Sequence, residues 1–394
     1  MKKKSEKYNL AKIKVVGIGG AGNNAVSRMH DNFPKSVDLI AINTDVQDLK
    51  YAKAKKKIHI GENLTKGLGT GMNPDLGRQA AEENRSEISD ALKGADMVFI
   101  TAGEGGGTGT GASPIVAEIS KELGILTVAV VTKPFAFEGT QRAQIAQEGI
   151  IKLKEQVHTL ITIPNDRIFS LITKDTSLIK AFEAIDEVLK NSVLGITELI
   201  VAPGIVNVDF ADVKAVMNEG GSAIIGVGVA NGPERATKAA NLAINSPLLE
   251  ASIDGAKGLL FSISGRRDLK MNEINEIARL ISENVDQSAR IIFGAYHDRK
   301  LNKGQLKVTL IATGFNGNFN HKSDSLLPSL FGQKTILENK LETNRTEEKT
   351  KEESLGQGLG FEEPKKRGKV DSVKDKISEE IWDIPAFLRR KKRR

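Results

Sequence analysis

The sequence predicts an α/β architecture: a parallel sheet with helices on both faces, then a long central helix and a second, smaller α/β domain. Three observations predict it. From Ile13 to about Phe137, short apolar runs alternate with helix-like segments, the rhythm of a parallel sheet. A helical pattern follows from about Leu178 to Ile200, in which Leu178, Phe182, Ile185 and Leu189 recur at helical spacing. Strand-like and helix-like segments then alternate again and close near Phe315.

In order, IKVVGIG, DLIAINTD, ADMVFITAG and LTVAVVTKPF each read as a buried strand, and HTLITIP (158–164) as a further one. After the long helix, PGIVNVDFADVKAVMNEGG turns the chain. Strands around AIIGVGVA, AKGLLFSISG, ARIIFGAYHD and QLKVTLIATGF are separated by helical stretches near 233–245 and 271–285. The domain plan is a basic extension (1–12), a first domain (13–177), the central helix (178–202), a second domain (203–316), a linker (317–380) and a terminal peptide (381–394).

Residues 317–380 hold 12 basic and 13 acidic side chains, too polar to offset ordering entropy by apolar burial, so disorder is expected there. As a flexible chain this linker would span roughly 45 Å r.m.s.. IWDIPAFLRRKKRR then restores Ile381, Trp382, Ile384, Phe387 and Leu388 ahead of a basic run. An apolar cluster on a tether reads as a docking peptide that orders on binding. A frayed end is the blander alternative, and it leaves the placement of the chain's single Trp unexplained.

A length of 394 residues accommodates two domains plus extensions, and 39% hydrophobic with 27% charged residues is ordinary for a globular protein. No apolar run approaches the ~20 residues of a membrane span. The basic start MKKKSEKYNLAK is not followed by an apolar stretch of signal-peptide length, so a cytoplasmic location is expected. The absence of cysteine excludes disulfides, thiolate zinc sites and cysteine nucleophiles, and five scattered His argue against a His-rich metal site. Of the net charge of +7, residues 1–12 supply +4 and residues 381–394 supply +5, which by subtraction leaves the body at −2. Basic tips on a near-neutral body fit docking to an acidic partner or membrane surface, not a nucleic-acid face. For the N-terminal lysines, surface solubility is the simpler account.

Two glycine-rich turns follow strands and precede helices, where backbone N–H groups can be presented to phosphate. GIGGAGNN (17–24) matches a dinucleotide fingerprint at Gly17, Gly19 and Gly22, with Asp38 or Asp45 as ribose ligands; tight packing is the competing account. AGEGGGTGTGASP (102–114) places five glycines between Gly105 and Gly111, which clears side chains from a concave surface, with Thr108 and Thr110 as exposed hydroxyls. Ser113 and Pro114 read as the N-cap and first residue of the next helix. The lysine-bearing pattern GxxxxGK[ST] occurs nowhere in the chain, so phosphate charge falls to backbone dipoles, helix ends and a metal ion.

GGGTGTG resembles the phosphate loop of the tubulin/FtsZ superfamily of GTPases. The similarity to the FtsZ family continues through GIGGAGNNAV, NTD (43–45), GLGTGMNPDLG (67–77), KPFAFEGTQR (133–142), TIPNDRI (162–168), AFEAIDEVLKNSVLGITELI, NVDFADVKAVM (207–217), SPLLE and DIPAFLRR. The resemblance implies a Rossmann-like GTP-binding domain. It assigns the phosphates to Gly19, Gly20, Gly71, Gly106, Gly107, Thr108 and Gly109, and the ribose to Glu138 and Arg142. It assigns the base to Asn24, Asn165, Phe182 and Asp186. A carboxylate at Asp186 suits guanine's N1–H and N2–H₂, and Phe182, four residues earlier on the same helical face, could stack on the ring or simply pack in the core.

The resemblance further implies catalysis between subunits. Asp209 and Asp212, helped by Asn207, would position water and its metal against GTP held by the next copy; an N-cap with a dipole-compensating acid is the local alternative. GTP/GDP and Mg²⁺ are the implied cofactors, the metal carried by the phosphates without a dedicated protein ligand set. The implied partners are the chain itself, in a head-to-tail homopolymer, and membrane-linked adaptors of the FtsA type through Ile384, Pro385, Phe387 and Leu388. The implied setting is the mid-cell division ring, with no nucleic acid. Glu104 stands where the family usually has Met; it reads as a solvated rim residue, with weakened nucleotide binding or Mg²⁺ recruitment as the sharper alternative. Two other functions remain in competition: an NAD-dependent oxidoreductase resting on Gly17, Gly19 and Gly22, and a non-catalytic GTP-binding assembly protein.

Overall fold

The computed structural model describes residues 11–315, apart from 32, 171, 174, 202, 203, 248, 250, 251 and 299. The expectations for the N-terminal extension up to residue 10, the linker and the terminal peptide with Ile384, Pro385, Phe387 and Leu388 lie outside the described residues.

The first half runs β1 (Ile13–Ile18), α1 (Gly19–Met29), β2 (Asp38–Asn43), α2 (Val46–Tyr51), β3 (Lys56–His59), α3 (Glu62–Thr65), α4 (Pro74–Glu83), α5 (Arg85–Leu92) and β4 (Met97–Gly103). It continues with α6 (Thr108–Glu122), β5 (Leu126–Lys133), α7 (Thr140–Gln156) and β6 (Thr159–Pro164), then the 24-residue α8 (Leu178–Val201). The strands pair in the order β3-β2-β1-β4-β5-β6, all parallel. β4 and β5 are buried on both faces, as continuous apolar runs require. Val26, Met29, Phe99, Leu189 and Val193 pack on one face of the sheet, and Ile88, Leu92, Ile100, Val116 and Leu153 on the other.

The second half runs β7 (Gly204–Val206), α9 (Phe210–Met217), β8 (Gly221–Asn231), α10 (Arg235–Ile244), β9 (Gly258–Gly265), α11 (Met271–Ser282), β10 (Arg290–His297) and β11 (Gln305–Thr313). Its strands continue the same sheet, because β6 pairs with β8 through Thr159–Gly221, Leu160–Ser222 and Ile161–Ala223. From there the order is β8-β11-β9-β10-β7, antiparallel except for β9 and β10. The GVGV stretch of β8 has a packing reason: a Cβ on Gly228 would lie 2.0 Å from the carbonyl of Ala239, so α10 seats its alanine face directly on the strand. Arg235, buried at the start of α10, donates to Glu273 (2.6 Å) and Asp268 (2.7 Å) and so ties α10 to α11. β3 and β7 had no counterpart in the sequence reading: each is only three or four residues long, with too few apolar positions for a period to register.

Candidate functional site

A cavity of about 350 Å³ opens at the carboxyl ends of the parallel strands, where ligands of open α/β sheets bind. Gly19 and Gly20 follow β1, Asn43 and Asp45 close β2, Gly103 and Glu104 close β4, Thr132 and Pro134 close β5, and Asn165 follows β6. All the residues that the sequence reading assigned to phosphate, ribose and base line this one cavity: Gly19, Gly20, Gly71, Gly106, Gly107, Thr108, Gly109, Glu138, Arg142, Asn24, Asn165, Phe182 and Asp186. The N-termini of α1 and α6 both reach it, so two helix dipoles present their positive ends to the same space.

The glycines divide by cause. A Cβ on Gly107 would lie 2.1 Å from Thr70 Oγ1, and one on Gly111 would lie 2.0 Å from Pro74 O, so these positions let α4 pack against the start of α6. Gly106 and Gly71 instead face open space, with nothing within 4 Å of an added Cβ. Close packing therefore explains more of the second loop than the sequence suggested, and its cleared surface narrows to Gly106. In the first loop, a Cβ on Gly17 would lie 2.3 Å from Gly22 O, the tight-packing account.

Three further expectations are corrected. α6 begins at Thr108, not at Ser113 and Pro114. The glycines packed on α4 let the chain coil earlier, Pro114 falls inside the helix, and Ser113 Oγ donates 2.6 Å to Gly109 O. Thr108 and Thr110 are buried rather than exposed: Thr108 Oγ1 lies 2.7 Å from Thr44 Oγ1 and 3.2 Å from Thr70 Oγ1, while Thr110 Oγ1 accepts from Gly105 N at 2.9 Å. Glu104 is no rim residue. It is 5% exposed, because its side chain turns in toward Thr110 and Gly149 of α7.

At the base end, Phe182 meets Phe135 edge-on at 5.6 Å and belongs to an apolar cluster with Ile168 and Ile185 while also lining the cavity. Stacking and core packing are thus compatible at this ring. Asn165 is buried with its Oδ1 lacking a hydrogen-bond partner, an acceptor suited to a ligand N–H. Asp186 is pushed up to about pKa 6 by burial, against the opposing pull of Arg28, whose Nε donates to its Oδ2. Arg28 was missed in the sequence; its signal was the four-residue spacing from Asn24 on α1. Glu138 and Arg142 form an ion pair, and Glu138 Oε1 also accepts from Phe135 N at 3.0 Å.

Asn207, Asp209 and Asp212 are exposed and do not line the cavity. Asp209 caps α9 by accepting from Asp212 N at 2.8 Å, and Asn207 Oδ1 accepts from Gly204 N at 2.7 Å. These bonds match the local N-cap account for Asp209 and leave the Asp212 carboxylate outward. Asp45 caps α2 through Oδ1 and Asp38 pairs with Lys55 at 2.8 Å, so both candidate ribose ligands of the dinucleotide alternative have a local structural role. Among the described residues no group of three or more His, Cys, Asp or Glu converges as metal ligands, and no helix is long and apolar enough to cross a membrane.

Residues 12–173 match the GTPase domain of the Tubulin/FtsZ family, and residues 221–316 match the C-terminal domain of the FtsZ family. Among solved structures, an empty FtsZ dimer from M. jannaschii is 50% identical with a TM-score of 0.74, covering 77% of this chain and 88% of its own. A mutant FtsZ of the same organism is also 50% identical, with a TM-score of 0.75 over 78% and 92%. The GTPγS-bound protofilament of CetZ2 from Haloferax volcanii shares the fold at 22% identity, with a TM-score of 0.65 over 77% and 93%.

Proposed function

We propose a working cycle for this chain, which belongs to the tubulin/FtsZ family of GTPases: it binds GTP in the cavity, polymerises head to tail, and hydrolyses GTP where one copy's α9 region meets the next copy's nucleotide. The observation that carries the reading is a separation. α9, which Asp209 caps, ends against the amino end of β6, where Thr159 Oγ1 donates to Met217 O, whereas the cavity lies beyond the carboxyl end of that strand at Asn165. On this reading a second copy completes the site. Exposed apolar residues support contacts at both places: Leu68 (68% exposed) and Phe137 (63%) flank the cavity, and Ile205 (54%) precedes Asn207. One surface meeting a different surface generates open filaments.

Within that cycle the backbone amides of Gly19, Gly20, Gly71, Gly106, Gly107 and Gly109, with the Thr108 hydroxyl, hold the phosphates. Glu138 and Arg142 take the ribose, and Asn24, Asn165, Phe182 and Asp186 take guanine. Asp209 and Asp212 of the neighbouring copy orient the attacking water, and Asn207 shapes their loop. The cavity fits a cation that arrives on the triphosphate: the oxygen donors lining that end are Asp45, Asp48 and Thr108, with no preformed cage. Mg²⁺ supplies charge neutralisation on the phosphate oxygens.

On this reading residues 13–177 bind nucleotide, 178–202 connect, and 203–316 carry the catalytic loop. The terminal peptide, through Ile384, Pro385, Phe387 and Leu388, docks to membrane-linked adaptors of the FtsA type. The chain then acts in the cytoplasm as a cell-division scaffold at mid-cell. Phosphate release from GTP and Mg²⁺, measured against protein concentration with light scattering on the same samples, tests the cycle. Specific activity and scattering rise together above a threshold; turnover per molecule that is flat on dilution overturns the shared site.

A further inference from the structure

Glu104 has no part in the cycle above, yet it lies under the phosphate loop. Its backbone N–H bonds to Thr132 O of β5 at 2.9 Å, which fixes the residue at the mouth of β4. Its side chain lies between α6 and α7, where an added Cβ on Gly149 would be 2.6 Å from Oε2. Neither carboxylate oxygen has a hydrogen-bond partner. Thr110 Oγ1, the polar group beside it, accepts from Gly105 N and keeps its O–H for the carboxyl, an interaction that offsets burial only in part.

The charged side chains on the surrounding elements are Asp75, Arg78, Glu82 and Glu83 of α4, Glu118, Lys121 and Glu122 of α6, Lys133 at the end of β5, Glu138 after it, and Arg142, Glu148, Lys152, Lys154 and Glu155 of α7. None of them contributes to the raised pKa of about 7, which arises from burial. An ionised Glu104 would therefore place a negative charge with no ion-pair partner against the first turn of α6. That turn is also where the cavity offers its positive dipole end to phosphate. Carboxylate and phosphate compete for the same field.

We propose that Glu104 is a proton site coupled to nucleotide: phosphate binds the form whose carboxyl is protonated, and binding draws that proton from solvent onto Glu104. This rests on the cavity being the nucleotide site. The coupling is reciprocal, so nucleotide holds the proton on Glu104 as firmly as the proton favours nucleotide. A one-unit coupling, the size expected of a unit charge about 10 Å away at an effective dielectric near 20, makes affinity fall roughly tenfold as Glu104 ionises. The same coupling draws up about 0.4 proton per GDP bound at pH 7.

The test is isothermal titration of GDP into the full chain from pH 5.5 to 8.5, in buffers of differing protonation enthalpy. Wild type is compared with Glu104→Gln, Glu104→Met and Asp186→Asn. The diphosphate and Asp186 also titrate in this range, and both are retained in the Glu104 variants, so the difference from wild type isolates Glu104. Wild type loses roughly fivefold more affinity between pH 6 and 8 than either Glu104 variant, about half of the full tenfold limit, and takes up the additional proton. Superimposable affinity profiles and equal proton uptake overturn the proposal. Unchanged GDP affinity in Asp186→Asn overturns the assignment of the cavity itself, and the proposal with it.

Discussion

Arg28 Nε donates to Asp186 Oδ2 at 2.8 Å, joining the helix after the first glycine turn to the long helix 158 residues later. The bond engages Oδ2 and opposes the burial that raises the carboxyl to about pKa 6. In Arg28→Met that opposition is lost and the carboxyl titrates higher. GDP affinity then falls roughly three- to tenfold at pH 6.5 and less at pH 8, where the acid is ionised regardless. Titrations at the two pH values check it.

On the proposed guanine assignment, Asp186→Asn exchanges a carboxylate acceptor for an amide donor opposite the base. GTP binding weakens by at least tenfold, while xanthosine triphosphate, whose 2-oxo group accepts from an amide, binds better than it does to wild type. Competition between the two nucleotides reads the ratio directly.

Gly106→Ala and Gly107→Ala separate binding from packing. The methyl of Gly107→Ala meets Thr70 Oγ1 and Asn73 N, the latter at 2.8 Å, and lowers stability by about 1–3 kcal/mol. Gly106→Ala enters open space; it leaves the nucleotide-free melting temperature unchanged and weakens GDP binding. Thermal melts with and without GDP distinguish the two.

Asp209→Ala removes the cap of α9 as well as a carboxylate, and costs about 1 kcal/mol of stability together with turnover. Asp209→Ser keeps the cap and still fails in phosphate release. Asp212→Ala, whose side chain caps nothing, loses turnover with stability and GTP binding intact.

Glu104 makes stability fall with rising pH. Its carboxyl is raised from 4.5 to about 7 in the folded chain, so between those values the native state keeps a proton that the unfolded state has released. Stability is highest below about pH 4.5 as far as this group is concerned, and it declines through pH 7 by up to roughly 3 kcal/mol. Glu104→Met removes the decline: its melting temperature exceeds that of wild type at pH 8, and the gap closes toward pH 5.

The longer strands and the long helix were legible because each has a local signature: β4 and β5 are apolar throughout, and Phe182, Ile185 and Leu189 recur at helical spacing; the cavity lining was legible only through the family resemblance. Burial was not legible where it depends on distant segments. Glu104 and Thr108 look exposed in a glycine-rich turn until Gly149 and Thr44 close over them. The start of α6 was misplaced because Ser–Pro is a strong local helix-start signal, and only packing on α4 shows that the helix is already under way. Arg28 escaped notice because its partner lies on another helix.

The hydrogen-bonded seam between the two halves is short: β6 and β8 share three residue pairs, whereas β9 and β10 share eight, and only the edge pairing of β10 with β7 has fewer. The two halves also share one apolar cluster, which includes Leu189 and Val193 of α8 and Leu260 and Ile311 of the second half. Hydrogen-bonded ladders resist shear because their registers are discrete, while apolar contacts are non-directional and tolerate small slips. Relative movement of the two halves would therefore break fewer hydrogen bonds at the β6–β8 seam than at the central strand pairs within either half.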